Sequence, residues 1–171
     1  MRTRLALLAA IAAAAFPSAA LADDPPACLA AKGAAADGQS IRGVRVGAHA
    51  VIRGSDGNPL DVSSVSYCVE GGGQFGFALS GDSDVVLALS TAEGDAIGEI
   101  NPTSPAESAR LAFPKMAKIA KRGTTTVYRA DSRRQLILGV AGGRVNFVAA
   151  ADRLLLEYPN KLGYYLHRLG F

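Results

Sequence analysis

The 171-residue chain has no tryptophan, two histidines and two cysteines. Each shortage removes a class of chemistry. His49 and His167 are far apart, with no H-E-x-x-H pair and no cysteine cluster, so no metal centre and no cofactor is expected. "SDGN", ending at Asn58, resembles the opening of a calcium loop but lacks the remaining oxygen ligands at loop spacing. "EGGGQFG" has neither the lysine nor the hydroxyl of a phosphate-binding loop, and it leads into a strand. Asp82 and Asp84 could act as paired carboxylates on a glycoside. They fall in an expected turn, and no tryptophan exists to stack a sugar ring.

Nucleophilic hydrolysis is the sharpest enzyme reading. "SGDSDVV" after the strand-like "FGFAL" resembles the first block of the GDSL esterases and would make Ser83 the nucleophile. That family also needs a late Asp-x-x-His pair, and Tyr164 stands three residues before His167. There is no G-x-S-x-G elbow either, so a Gly-Asp-Ser turn between two strands is the expectation.

What the chain does contain begins with an address. Arg2 and Arg4 precede an uncharged apolar stretch, Leu5 to Phe16, and then "PSAALADD". This is the pattern of a secretory signal peptide, residues 1–22, cut after Ala22. A membrane span would need about 20 apolar residues, and this run stops at Pro17. Residues 23–171 are then a single secreted domain with an N-terminal arm at 23–40. The only later apolar run, Leu136 to Ala151, is interrupted by Gly142, Gly143 and Arg144, so no transmembrane segment is expected after processing.

In an oxidising compartment Cys28 and Cys68 are expected to form a disulfide that pins the arm to a strand near Tyr67. Closing a loop of about 40 residues contributes roughly 3–4 kcal/mol. A lipid-anchored Cys28 is the alternative; it would leave Cys68 unpaired.

The processed chain is nearly neutral, yet its charge is lopsided. Residues 23–100 carry a net −7, and residues 101–171 a net +8. Either the halves face one another with complementary fields, or the basic half meets an anionic surface.

Alternating apolar residues make "VRVGAHAVIRG" a strand candidate, ended by "GSDGNP". "VSYCVE", "QFGFALS" and "VVLALST", separated by Gly and Asp turns, read as antiparallel hairpins, with Gly76 marking a bulge or a close approach. "TSPAESARLAF" carries Ser104, Pro105 and Glu107 at capping-box spacing, which predicts a capped helix from Pro105 to Phe113. A second short helix is expected from Pro114 to Arg122. "TTTVYRA", "RQLILGV" and "RVNFVAA" follow as strands, the middle one apolar on both faces and therefore central. Leu162, Tyr165, Leu166 and Leu169 repeat at helical spacing after an Asn160 cap, and the leucines should lie on the sheet. The fold class is α+β, with antiparallel hairpins, a central capped helix and a C-terminal amphipathic helix packed on the sheet.

"GEINPTSPAESARLAFP", a basic linker and "VYRADSRRQLILGVAGGRVNFVAA" together resemble the small bacterial envelope domains of the BLIP-like and SmpA-like kind. Residues 98–150 carry the resemblance, with Pro102 and Thr103 where a turn glycine is usual. It implies protein binding in the cell envelope and no catalysis.

In "PKMAKIAKRG", Lys115, Lys118 and Lys121 recur every three residues, with Arg122 beside the last; Arg129, Arg133 and Arg134 follow. On a helix this row is either the wet side of an amphipathic element or a site for an anionic partner. An exported chain without a recognition motif is not expected to bind nucleic acid, which leaves acidic protein, wall polymer or lipid headgroups. The expected function is a secreted or cell-envelope binding module without catalytic residues. A small secreted hydrolase, its site assembled from residues distant in sequence, is the alternative.

Overall fold

The computed structural model describes residues 28–31, 38–53, 56–130 and 135–171. The expected signal peptide, most of the arm, Arg133 and Arg134 lie outside the described residues. Two short strands, β1 (Ser40–Ile41) and β2 (Val44–Arg45), form a small hairpin. The sequence predicted one strand from Val44 onward, but the chain turns at Val46–Gly47, where Gly47 takes φ 82°. Glycine enters that left-handed region without the steric cost of a β-carbon. Beyond the turn, only isolated bridges at His49–Asp84 and Arg53–Pro59 continue the ladder.

The other seven strands make one antiparallel sheet. They are β3 (Ser64–Cys68), β4 (Gln74–Leu79), β5 (Val85–Ser90), β6 (Ala117–Arg122), β7 (Thr125–Arg129), β8 (Leu136–Ala141) and β9 (Arg144–Ala151). Their order is β3-β4-β5-β9-β8-β7-β6. The two expected hairpin groups are thus halves of a single sheet, joined where Leu87 to Ser90 pair with Val148 to Ala151. The expected inner position of "RQLILGV" holds: β8 lies between β9 and β7, and its first four residues are buried. Gly76 proves to be a close approach, since a β-carbon there would meet Val65 O at 2.8 Å and Leu169 Cδ2 at 3.0 Å.

Both sheet faces are covered. One packs Leu87, Ile137, Phe147 and Val127 against α2 (Arg153–Glu157) and α3 (Pro159–Arg168), whose Leu162 and Leu166 are fully buried, as the leucine spacing predicted. The sequence did not reveal α2; Asp152 caps it by accepting from Leu154 N at 2.8 Å. α3 starts with Pro159 at its first turn, and neither Asn160 nor any other side chain caps it. The opposite face packs Ala88, Leu136, Leu138 and Val148 under Ile41, Val46, the 92–100 connection and α1 (Ala106–Ala112).

The first helix is present, but its capping box is not. Ser104 Oγ instead bonds Asn101, donating to Oδ1 at 2.7 Å and accepting from N at 3.1 Å. Ala106 N donates to Gly143 O, so the β8–β9 turn satisfies a helix N–H left for the cap.

Cys28 and Cys68 are bonded, with Cα atoms 4.8 Å apart. Beside them Leu29 pairs in parallel with Val69. No helix among the described residues is long and apolar enough to cross a membrane.

Candidate functional site

Residues 117–122 form a strand, β6, where the sequence predicted a helix from Pro114 to Arg122. The three-residue spacing of the lysines has a different cause. β6 pairs with β7 as Ala117↔Arg129, Lys118↔Tyr128, Ala120↔Val127, Lys121↔Thr126 and Arg122↔Thr125, leaving Ile119 as an extra residue in a bulge. Ile119 and Ala120 both pack toward α3, and the bulge returns Lys118 and Lys121 to one face.

Of the seven expected basic residues, the five described ones divide; Arg133 and Arg134 lie outside the described residues. Val127 faces α3, so its neighbours Thr126 and Tyr128, together with Lys118 and Lys121 across from them, face the other way. Arg122 and Arg129 share the α3 side; a β-carbon at Gly163 would stand 3.6 Å from Arg122 Cδ. Lys115 lies in the turn before β6. Lys115, Lys118 and Lys121 are exposed, and among the described residues none has a carboxylate partner. Among the described residues β6 is also the outermost strand, with β7 on one side only.

The hydrolase candidate is placed quite differently. Ser83 sits in the β4–β5 turn at φ 63°. Next to it, Asp84 Oδ1 lies 3.5 Å from His49 Nδ1, an exposed pair with 49% and 64% of the side-chain surface open. Ala50 N donates to Ser83 O, and Val85 N donates to Ala48 O, which sets His49 directly opposite Asp84. The recorded side-chain partner of His49 is Asp84, and the hydroxyl of this turn that accepts hydrogen bonds is that of Ser80, from Asp82 N and Asp84 N. Among the described residues no three His, Cys, Asp or Glu side chains gather. In the "SDGN" turn, Asp56 accepts from Asn58 N and Nδ2, and these bonds hold its carboxyl below the usual range.

A cleft of about 530 Å³ opens between residues 50–52 and 59–63, the end of β4 with the β4–β5 turn, and Tyr164–Tyr165 of α3. Exposed Val51, Leu60, Val62 and Tyr164 line it, with Asp61 as its sole charged residue. Such walls suit an apolar or uncharged guest; the cation beside them, Arg168, is engaged with Tyr164, donating to its hydroxyl at 3.0 Å.

Sequence reasoning missed a buried ion pair. Arg42, with 7% of its side chain exposed, donates from Nε to Asp95 Oδ2 at 2.6 Å. Its other nitrogens donate to Ala30 O and Ala31 O at 2.8 and 3.0 Å, so one guanidinium ties the arm to the loop after β5. Ser90 Oγ also donates to Asp95 Oδ2, while Oδ1 is buried with no partner among the described residues. An isolated arginine between Ile41 and Gly43 gives no sequence signal for this, because its partner lies 53 residues away. With each of its three nitrogens bonded to backbone or carboxylate, the group reads as a clasp.

Compared with protein-family models, curated proteins and solved structures, the chain matches none.

Proposed function

We infer that the protein is an exported, non-catalytic binding module of the cell envelope that holds an anionic partner along its basic sheet edge. One observation carries this reading: Lys118 and Lys121 on the outermost strand of the sheet, and Lys115 in the turn before it, stand exposed and, among the described residues, without carboxylate partners. Exposed cations without an ion-pair partner give an open surface its field, and that field steers and retains an opposite charge. The signal-like start of the chain supports export, and the Cys28–Cys68 disulfide is compatible with it. The resemblance of residues 98–150 to small envelope domains supports binding as the mode of action.

Retention of the purified protein on cell-envelope material at low salt tests this. Reversing Lys115, Lys118 and Lys121 to glutamate should cut retention at least tenfold while circular dichroism stays unchanged. Undiminished retention of a folded triple variant would remove the basic edge from consideration.

A further inference from the structure

We propose that the partner is the extended acidic segment of another protein, which adds to the sheet as an eighth strand beside β6. The inference rests on the basic-edge reading above and gives it a geometry.

β6 ends the strand order, and among the described residues only β7 pairs with it. The two strands are joined by the two-residue turn Gly123–Thr124. Residues flanking such a turn, here Arg122 and Thr125, exchange their backbone bonds, so Lys121, next along, directs its N–H and C=O to the open side. An incoming strand would find a donor and an acceptor there, with the Lys121 ammonium above them.

Lysines and bulges on an edge strand usually ward off pairing. Here the sign of the charge decides what is warded off. A second copy docking β6 against β6 would set lysine beside lysine, and like charges facing across a ladder destabilise it. A strand with carboxylates on that face meets Lys118 and Lys121 with opposite charge, at positions the bulge has brought to the same side. Main-chain bonds then supply affinity, and side chains select the partner, as in other strand additions. On the opposite face, α3 packs under Ile119 and Ala120 and keeps the edge from bending away. The cleft at Tyr164 has no comparable charge for such a ligand.

The probe is a fluorescent, end-capped heptapeptide of alternating glutamate and threonine, titrated into the full chain. Three comparisons accompany it: the same peptide methylated on every backbone nitrogen, inorganic polyphosphate, and vesicles containing anionic lipid. The peptide should bind, should weaken at least tenfold against Lys118→Glu/Lys121→Glu, and should weaken at least tenfold on methylation. At saturation, amide exchange at Lys121 should slow at least tenfold. Equal binding of the methylated peptide, or unchanged exchange at Lys121, would overturn strand addition and leave the basic edge standing. Binding of polyphosphate or vesicles without the peptide would also overturn it, assigning the edge to another class of anion. If no probe binds, strand addition is wrong; envelope retention of the triple glutamate variant then shows whether the basic-edge reading falls with it.

Discussion

Arg42 and Asp95 show how much a single side chain can hold in a small domain. Arg42 sits at φ 53°, a region that residues with a β-carbon seldom occupy, while its three donor nitrogens serve Asp95, Ala30 and Ala31. Arg42→Ala would leave a carboxylate with 3% of its side chain exposed and no cation beside it. Breaking a buried pair from one side costs about 3–5 kcal/mol. Urea denaturation should show a loss of that order for Arg42→Ala, and a smaller one for Arg42→Ala/Asp95→Asn. Equal losses would mean that Asp95 does not need its cation. Gly139 is a second sensitive point, because a β-carbon there would lie 2.2 Å from the Phe147 ring. Gly139→Ala should cost about 1–3 kcal/mol as the ring is forced aside.

At the scale of elements, what could be read from sequence followed the regularity of the apolar pattern. β3, β4, β5, β7, β8 and β9 each match an expected run, because alternation or a short apolar block between turn residues survives in them. β6 was hidden by its bulge: one extra residue puts Met116 and Ile119, and Lys118 and Lys121, at a spacing that imitates a helix. Pairing with β7 then outweighs the helix propensity of lysine and alanine. Amide exchange distinguishes the two forms. As a strand, β6 should protect Ala120 and Arg122 and leave Lys121 exchanging fast; contiguous protection from Lys118 to Arg122 would indicate a helix. α3 was legible from its leucines, and Leu166→Ala should cost about 2–5 kcal/mol. Leu111 on α1 is 76% exposed, so Leu111→Ala should stay within about 0.5 kcal/mol in the same assay.

Across the whole molecule the lopsided charge becomes a direction in space. The acidic half contributes β3, β4 and β5, whose strands carry no charged residue, and the basic half contributes β6 to β9, so the sheet runs from an uncharged edge strand to a basic one, with the acids of the first half in its connections. Six inter-strand steps separate those edges, roughly 29 Å at the usual spacing. The two halves lie side by side, and none of the ion pairs Arg42–Asp95, His49–Asp84 and Arg153–Glu157 joins one to the other. Sequence could count these charges but could not order the strands, since the β5–β9 pairing links residues about 60 positions apart. The Cys28–Cys68 bond was visible because only two cysteines were available to form it. Reducing it should lower the unfolding free energy by roughly 3–4 kcal/mol, read by urea titration with and without dithiothreitol.

The most direct measurement compares two double charge reversals, Lys118→Glu/Lys121→Glu on β6 and Arg45→Glu/Arg53→Glu away from that edge, with Arg45 on β2 and Arg53 in the connection before β3. Both change the net charge by the same amount, so binding through overall charge would weaken both equally. The expected result is at least a tenfold loss of envelope retention for the β6 variant and less than a twofold change for the other. Equal losses, or none in either, would contradict a partner held at the basic edge.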